Sequence, residues 1–110
     1  MADHDILARL AATIKARRSE TADKSYTRQL LDAGPERCAK KFGEEAVEAV
    51  LAAVDADPAH LKAEAADVIY HLLVLLESRG VALADVLAVL DKRSGTSGLD
   101  EKAARPRGPT

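Results

Sequence analysis

Aromatic side chains are almost missing from this chain: Tyr26, Phe42 and Tyr70 are the only ones in 110 residues. Strands draw on aromatic and β-branched residues, whereas the alanine and leucine that dominate here favour helices. A single cysteine, Cys38, excludes an intramolecular disulfide and fits a reducing compartment. No basic excess exists either. Sixteen Lys and Arg against 18 Asp and Glu leave a formal charge of −2, so a nucleic-acid partner has no electrostatic support. No uncharged apolar run reaches bilayer-spanning length, which argues against a membrane partner. Met1-Ala2-Asp3-His4-Asp5 lacks the basic region and apolar core of a secretory leader. A cytoplasmic protein is expected.

What the chain does contain is helical periodicity. Its 47% hydrophobic and 31% charged residues suit one globular domain. Ile6, Leu7, Leu10 and Ile14 recur at helical spacing over 5–17, followed by a polar stretch from Arg17 to Lys24. Ser25 opens a short helix through Leu30 and Leu31, which Gly34 closes. Pro35 introduces a longer helix over 36–54. Asp55-Ala56-Asp57-Pro58 then signals a turn, with the proline suited to the first turn of a helix over 58–79 that ends at Gly80. Leu83, Val86, Leu87 and Leu90 mark a last amphipathic helix. The expected fold is all-α, a four- to five-helix bundle over residues 1–93 with a flexible C-terminal tail over 94–110.

Two acidic clusters flank the turn, Glu44-Glu45-x-x-Glu48 before it and Glu64-x-x-Asp67 after it. In an antiparallel helical hairpin, at about 1.5 Å rise per residue, both stand roughly 10 Å from the turn and can face each other. A lone EExxE string is ordinarily a solvated face. Here apolar residues occupy nearly every other direction of helix 58–79, which predicts burial on most sides around a stripe of Glu64, Asp67 and His71. Gathered carboxylates repel one another, and buried ones need a partner. All-oxygen ligands suit a hard cation, Mg2+ or in its place Mn2+. A di-iron bundle is set aside, because the Glu-x-x-His motif it uses would need His where Asp67 stands.

At these residues the chain resembles a known group. EExxE followed by ExxD is the pattern of the all-α, MazG-like nucleotide pyrophosphohydrolases. Over roughly 25–93 the likeness narrows. Ser25-Tyr26-Thr27, Leu30-Leu31, Gly34, Lys40-Lys41-Phe42-Gly43-Glu44-Glu45 and Glu64-Ala65-Ala66-Asp67-Val68-Ile69-Tyr70-His71-Leu72-Leu73-Val74-Leu75-Leu76, with Gly80-Val81, Asp85-Val86 and Arg93, closely resemble the phosphoribosyl-ATP pyrophosphohydrolases of histidine biosynthesis. That family usually has Val where Phe42 stands. The resemblance implies hydrolysis of phosphoribosyl-ATP to phosphoribosyl-AMP and diphosphate, a magnesium requirement and a homodimer.

Polyphosphate hydrolysis needs charge neutralisation and an oriented water, which helix-borne carboxylates and a metal ion supply. Glu45, Glu48, Glu64 and Asp67 are therefore the candidate metal ligands, and Glu44 with Glu48 the candidate catalytic pair, Glu44 positioning or deprotonating the water. Lys40, Lys41 and Arg93 are candidates for substrate phosphates, although the lysines also suit ion pairs with Glu44 and Glu45. Ser25, Tyr26 and Thr27 are candidates for further substrate contact, against their ordinary use in starting a helix. His71 is either an outer partner of the ligands or a core histidine. Two other readings stay open: a relative that clears nucleoside triphosphates, and a non-catalytic helical module that binds metal or a partner.

Overall fold

The computed structural model describes residues 5–21 and 25–94. These form five α-helices and no strand: α1 (Asp5–Ala16), α2 (Tyr26–Ala33), α3 (Pro35–Ala53), α4 (Pro58–Ser78) and α5 (Leu83–Arg93), with one 3-10 turn at Arg17–Ser19. The expected tail lies outside the described residues beyond Ser94.

Local chemistry explains the boundaries. Ser25 caps α2, its side chain accepting from the Arg28 amide at 3.1 Å. Gly34, at φ 97°, turns the chain directly from α2 into α3 in a backbone conformation that suits glycine. Pro35 and Pro58 occupy first-turn positions of their helices, where the missing N–H costs nothing. Asp57 caps α4 by accepting from the Ala59 amide at 3.0 Å, and Asp55 Oδ1 accepts from the Asp57 amide at 3.0 Å. At the far end of α4, the Val81 amide reaches Leu76 O at 2.9 Å and the Gly80 amide reaches Glu77 O at 3.0 Å. These are the paired bonds of a glycine-terminated helix.

Residues 17–21 are tied down by arginines rather than by apolar packing. Arg28 Nη1 donates to Arg18 O at 2.6 Å and to Glu20 O at 2.5 Å, while Arg28 Nε donates to Asp32 at 2.8 Å. Arg18 in turn reaches the Glu77 carboxylate at 2.5 Å and its backbone carbonyl at 2.6 Å. The polar connection is thereby fastened to both α2 and the end of α4.

Ile14, Leu30, Leu31, Cys38, Leu73 and Val74 form the core, with Leu10, Tyr70, Leu75, Leu76 and Leu83 packed against it. Cys38 behaves as a small core residue: it is buried, its thiol faces Leu30 O at 3.2 Å, and burial pushes its pKa up. The most extensive contact between helices is that of α3 with α4. One expectation changes. Helix α4 is not buried on most sides within this chain, because only His71, Leu73 and Val74 are buried and Leu61, Ile69 and Leu72 stand exposed. Helix α3 likewise exposes Val47, Val50, Leu51 and Val54, and α5 buries no residue at all. The single chain has more apolar helix surface than it covers.

Candidate metal centre

Glu45 from α3 and Glu64 and Asp67 from α4 bring one carboxylate oxygen each to within 4.8 Å of one another. The turn at 54–57 places the two helices side by side, and the i,i+3 spacing of Glu64 and Asp67 sets both on one face of α4. The side chains of Glu45 and Glu64 are largely covered, at 17% and 18% exposure, while Asp67 opens to solvent. Three carboxylates at this separation, two of them short of full hydration, form an acceptor-only donor set that a hard divalent cation satisfies.

The fourth expected ligand, Glu48, and the expected water-positioning residue, Glu44, are placed differently. Glu48 and Glu44 are exposed and stand outside this group of three. Both keep their helical relation to Glu45, Glu48 lying three residues further along α3. Lys41 is drawn to the cluster, its Nζ 3.5 Å from Glu45 Oε1 and 3.7 Å from Glu44 Oε1. The charge of an ionised Tyr26, followed by Glu45 and Glu44, raises the Lys41 pKa. Lys40 is exposed, and Arg93 is exposed at the last position of α5.

Ser25, Tyr26 and Thr27 divide into two kinds. Ser25 and Thr27 are buried; the first caps α2 and the second shares a hydrogen bond with the Tyr70 hydroxyl. Tyr26 is half exposed and meets the His71 ring edge-on, with centroids 6.2 Å apart at 85°. His71 is itself buried and also meets Tyr70 edge-on at 4.9 Å and 82°. Burial lowers its pKa, with Glu45, Lys41 and Asp67 the charges that act on it. It is a buried histidine held between the two tyrosine rings.

Sequence reasoning missed His60. Its Nδ1 lies 3.0 Å from Asp55 Oδ2 and its Nε2 lies 3.6 Å from Glu64 Oε1, so it links the turn to a carboxylate of the cluster. The bond to Asp55 raises the His60 pKa and lowers that of Asp55. The i,i+4 spacing of His60 and Glu64 was the available signal. An apolar groove of about 470 Å³ lies elsewhere, between α1, the end of α4 and α5, with Ala8, Ala11, Leu76 and Leu83 among its walls. It contains none of the cluster's carboxylates, so its size does not make it the reacting site.

An all-α chain that gathers carboxylates from two helices falls in the class of helical proteins with a donor set suited to a divalent cation. The particular family follows from comparison. Residues 7–94 match the family model described as phosphoribosyl-ATP pyrophosphohydrolase. The phosphoribosyl-ATP pyrophosphatase of Dinoroseobacter shibae is 61% identical over 100 residues, covering 91% of this chain and 98% of the relative. That of Cereibacter sphaeroides is 60% identical over 100 residues, covering 91% and 97%. Phosphoribosyl-ATP pyrophosphatase 1 of Rhodopseudomonas palustris is 60% identical over 98 residues, covering 89% and 92%. The chain belongs to the phosphoribosyl-ATP pyrophosphohydrolase family, and it is a hydrolase of histidine biosynthesis. Among the described residues, no helix is long and apolar enough to cross a membrane.

Proposed function

We propose that this chain hydrolyses phosphoribosyl-ATP to phosphoribosyl-AMP and diphosphate, using Mg2+ held between α3 and α4 as an antiparallel hairpin in a homodimer. The observation that carries this reading is the convergence of Glu45, Glu64 and Asp67 in a chain of this family. Mn2+ satisfies the same oxygen donors.

Glu45, Glu64 and Asp67 would hold the cation, with Glu48, one turn along α3, as the further ligand. When bound, a divalent ion there would supply neutralisation of the phosphate charge and Lewis-acid polarisation. Glu44, exposed and beside Lys41, orients the attacking water and takes its proton. Oxygen from that water joins phosphorus as the phosphoanhydride bond to diphosphate breaks. Lys41, beside Glu44 and Glu45, is assigned to the leaving phosphates, with Lys40 and Arg93 the further cations assigned to the substrate. The exposed apolar residues of α3 and α4 support the dimer: Val47, Val50, Leu51, Ile69 and Leu72 gain stability only when another surface covers them.

Diphosphate release from phosphoribosyl-ATP, beside a panel of nucleoside triphosphates, with magnesium and with chelator, tests the reading. Magnesium-dependent release from phosphoribosyl-ATP alone is expected. Asp67→Asn should lower turnover by at least about 100-fold, the scale of removing one preorganised charge contact. Preference for a simple triphosphate would overturn the substrate assignment. Release that survives chelation would overturn the metal.

A further inference from the structure

Tyr26 is the one aromatic ring that this chain leaves open. Phe42 is half-buried, and Tyr70 is half-buried with its hydroxyl bonded to Thr27, whereas Tyr26 is 50% exposed. Its position is nevertheless fixed. Ser25 and Thr27 on either side are buried and engaged, and Arg28 grips the preceding connection through two carbonyls. One side of the ring rests on His71. A rigidly mounted aromatic that keeps half its surface in water contributes little to the core, so its placement calls for another account.

Its neighbours indicate what that account is. His71 follows Asp67 by four residues on α4, about one helical turn along the same face. Lys41, which pairs with Glu45, is also within the electrostatic reach of the Tyr26 phenol. The open ring therefore stands at the rim of the carboxylate cluster, where the organic part of a nucleotide lies once its phosphates reach the metal. We propose that Tyr26 is the platform on which the adenine base of the substrate stacks, a positioning contact that favours the larger purine surface only modestly over a pyrimidine. This rests on the nucleotide reading of the site given above. Stacking needs only the π-face, so the ring carries the interaction and the hydroxyl does not.

The test combines equilibrium binding with turnover. Calorimetric titration of AMP and UMP, with magnesium, is made on the wild type, Tyr26→Phe and Tyr26→Ala, alongside phosphoribosyl-ATP kinetics. Tyr26→Phe should match the wild type. Tyr26→Ala should weaken AMP by on the order of 10-fold and UMP by a smaller factor, narrowing the purine preference. Its KM should rise by a similar factor with kcat nearly unchanged. A Tyr26→Ala variant that binds AMP as tightly as the wild type, or a Phe variant as impaired as Ala, would overturn the proposal. A wild type that fails to hydrolyse phosphoribosyl-ATP would instead sink the functional reading, while the AMP affinities of the three proteins still judge Tyr26.

Discussion

The two halves of α4 use the same helical geometry for opposite purposes. From Pro58 to Tyr70 the helix buries no residue, and it carries Glu64 and Asp67. From His71 to Val74 it enters the core, with His71, Leu73 and Val74 buried. The first half gathers carboxylates whose mutual repulsion Lys41 and His60 offset in part and a bound divalent cation would relieve further. The second half anchors the helix by burying apolar area, so that the carboxylates remain in place while they repel. Function and stability are therefore separable along a single element, which is rarely so clean when a site is built from core residues.

The sharpest way to break that comparison is a pair of substitutions a few residues apart. Leu73→Ala should cost about 2–5 kcal/mol of stability, the range for truncating a buried leucine. The molecules that remain folded should still gain stability from magnesium. Glu64→Gln should behave in the opposite manner. Without metal it should unfold at or above the wild-type temperature, because a repulsive charge is gone, and added magnesium should no longer raise the melting point. Thermal melts of both variants, with magnesium and with chelator, check this. A Glu64→Gln protein that is destabilised without metal yet still stabilised by magnesium would contradict the division.

His71 sits at the junction of the two halves and offers a smaller test. Its folded pKa is below the ordinary histidine value of 6.5, chiefly because burial disfavours the cation. The unfolded chain therefore binds the proton more readily, and the contribution of His71 is fully present above pH 6.5 and declines as the pH falls below it. His60 has the opposite sign. Its folded pKa is raised by Asp55, so its contribution is present below pH 6.5 and lost as the pH rises through the folded value. Because His60 is exposed, solvent screens its share and His71 should dominate. Denaturant midpoints measured with chelator should therefore fall from pH 8 to pH 5.5, and His71→Gln should flatten that slope.

Much of this arrangement was legible from residue types alone, because it depends on local chemistry. Caps and breakers at Ser25, Gly34, Pro35, Pro58 and Gly80 act within a few residues, and the structure puts the helix ends at or within one residue of where they indicated. The facing of Glu45 with Glu64 and Asp67 followed from a turn and a helical rise. What misled was the apolar circumference of α4. Hydrophobicity reports that a surface avoids water, but not whether the same chain covers it, so Ile69 and Leu72 were expected inside and stand outside. His60 escaped notice because its two partners lie on different segments, the turn and the helix, and each pairing alone is unremarkable in sequence.

The Ser25-Tyr26-Thr27 segment shows the same limit at the scale of one residue. Its pattern supported both helix initiation and substrate contact, and the cap at Ser25 gives the first a definite partner in the Arg28 amide. Ser25→Ala should then cost about 1 kcal/mol, the usual value of an N-cap. Ser25→Asp should restore it, since a carboxylate caps equally well and suits the positive end of the helix. Urea denaturation gives the stability, and kcat/KM for phosphoribosyl-ATP on the folded fraction gives the other coordinate. A residue that only caps leaves kcat/KM near wild type in both variants. If Ser25→Asp recovers stability but loses kcat/KM, the added charge is meeting the substrate's phosphates. Ser25 would then belong to the binding surface together with Tyr26, and the boundary between anchor and site would move by one residue along α2.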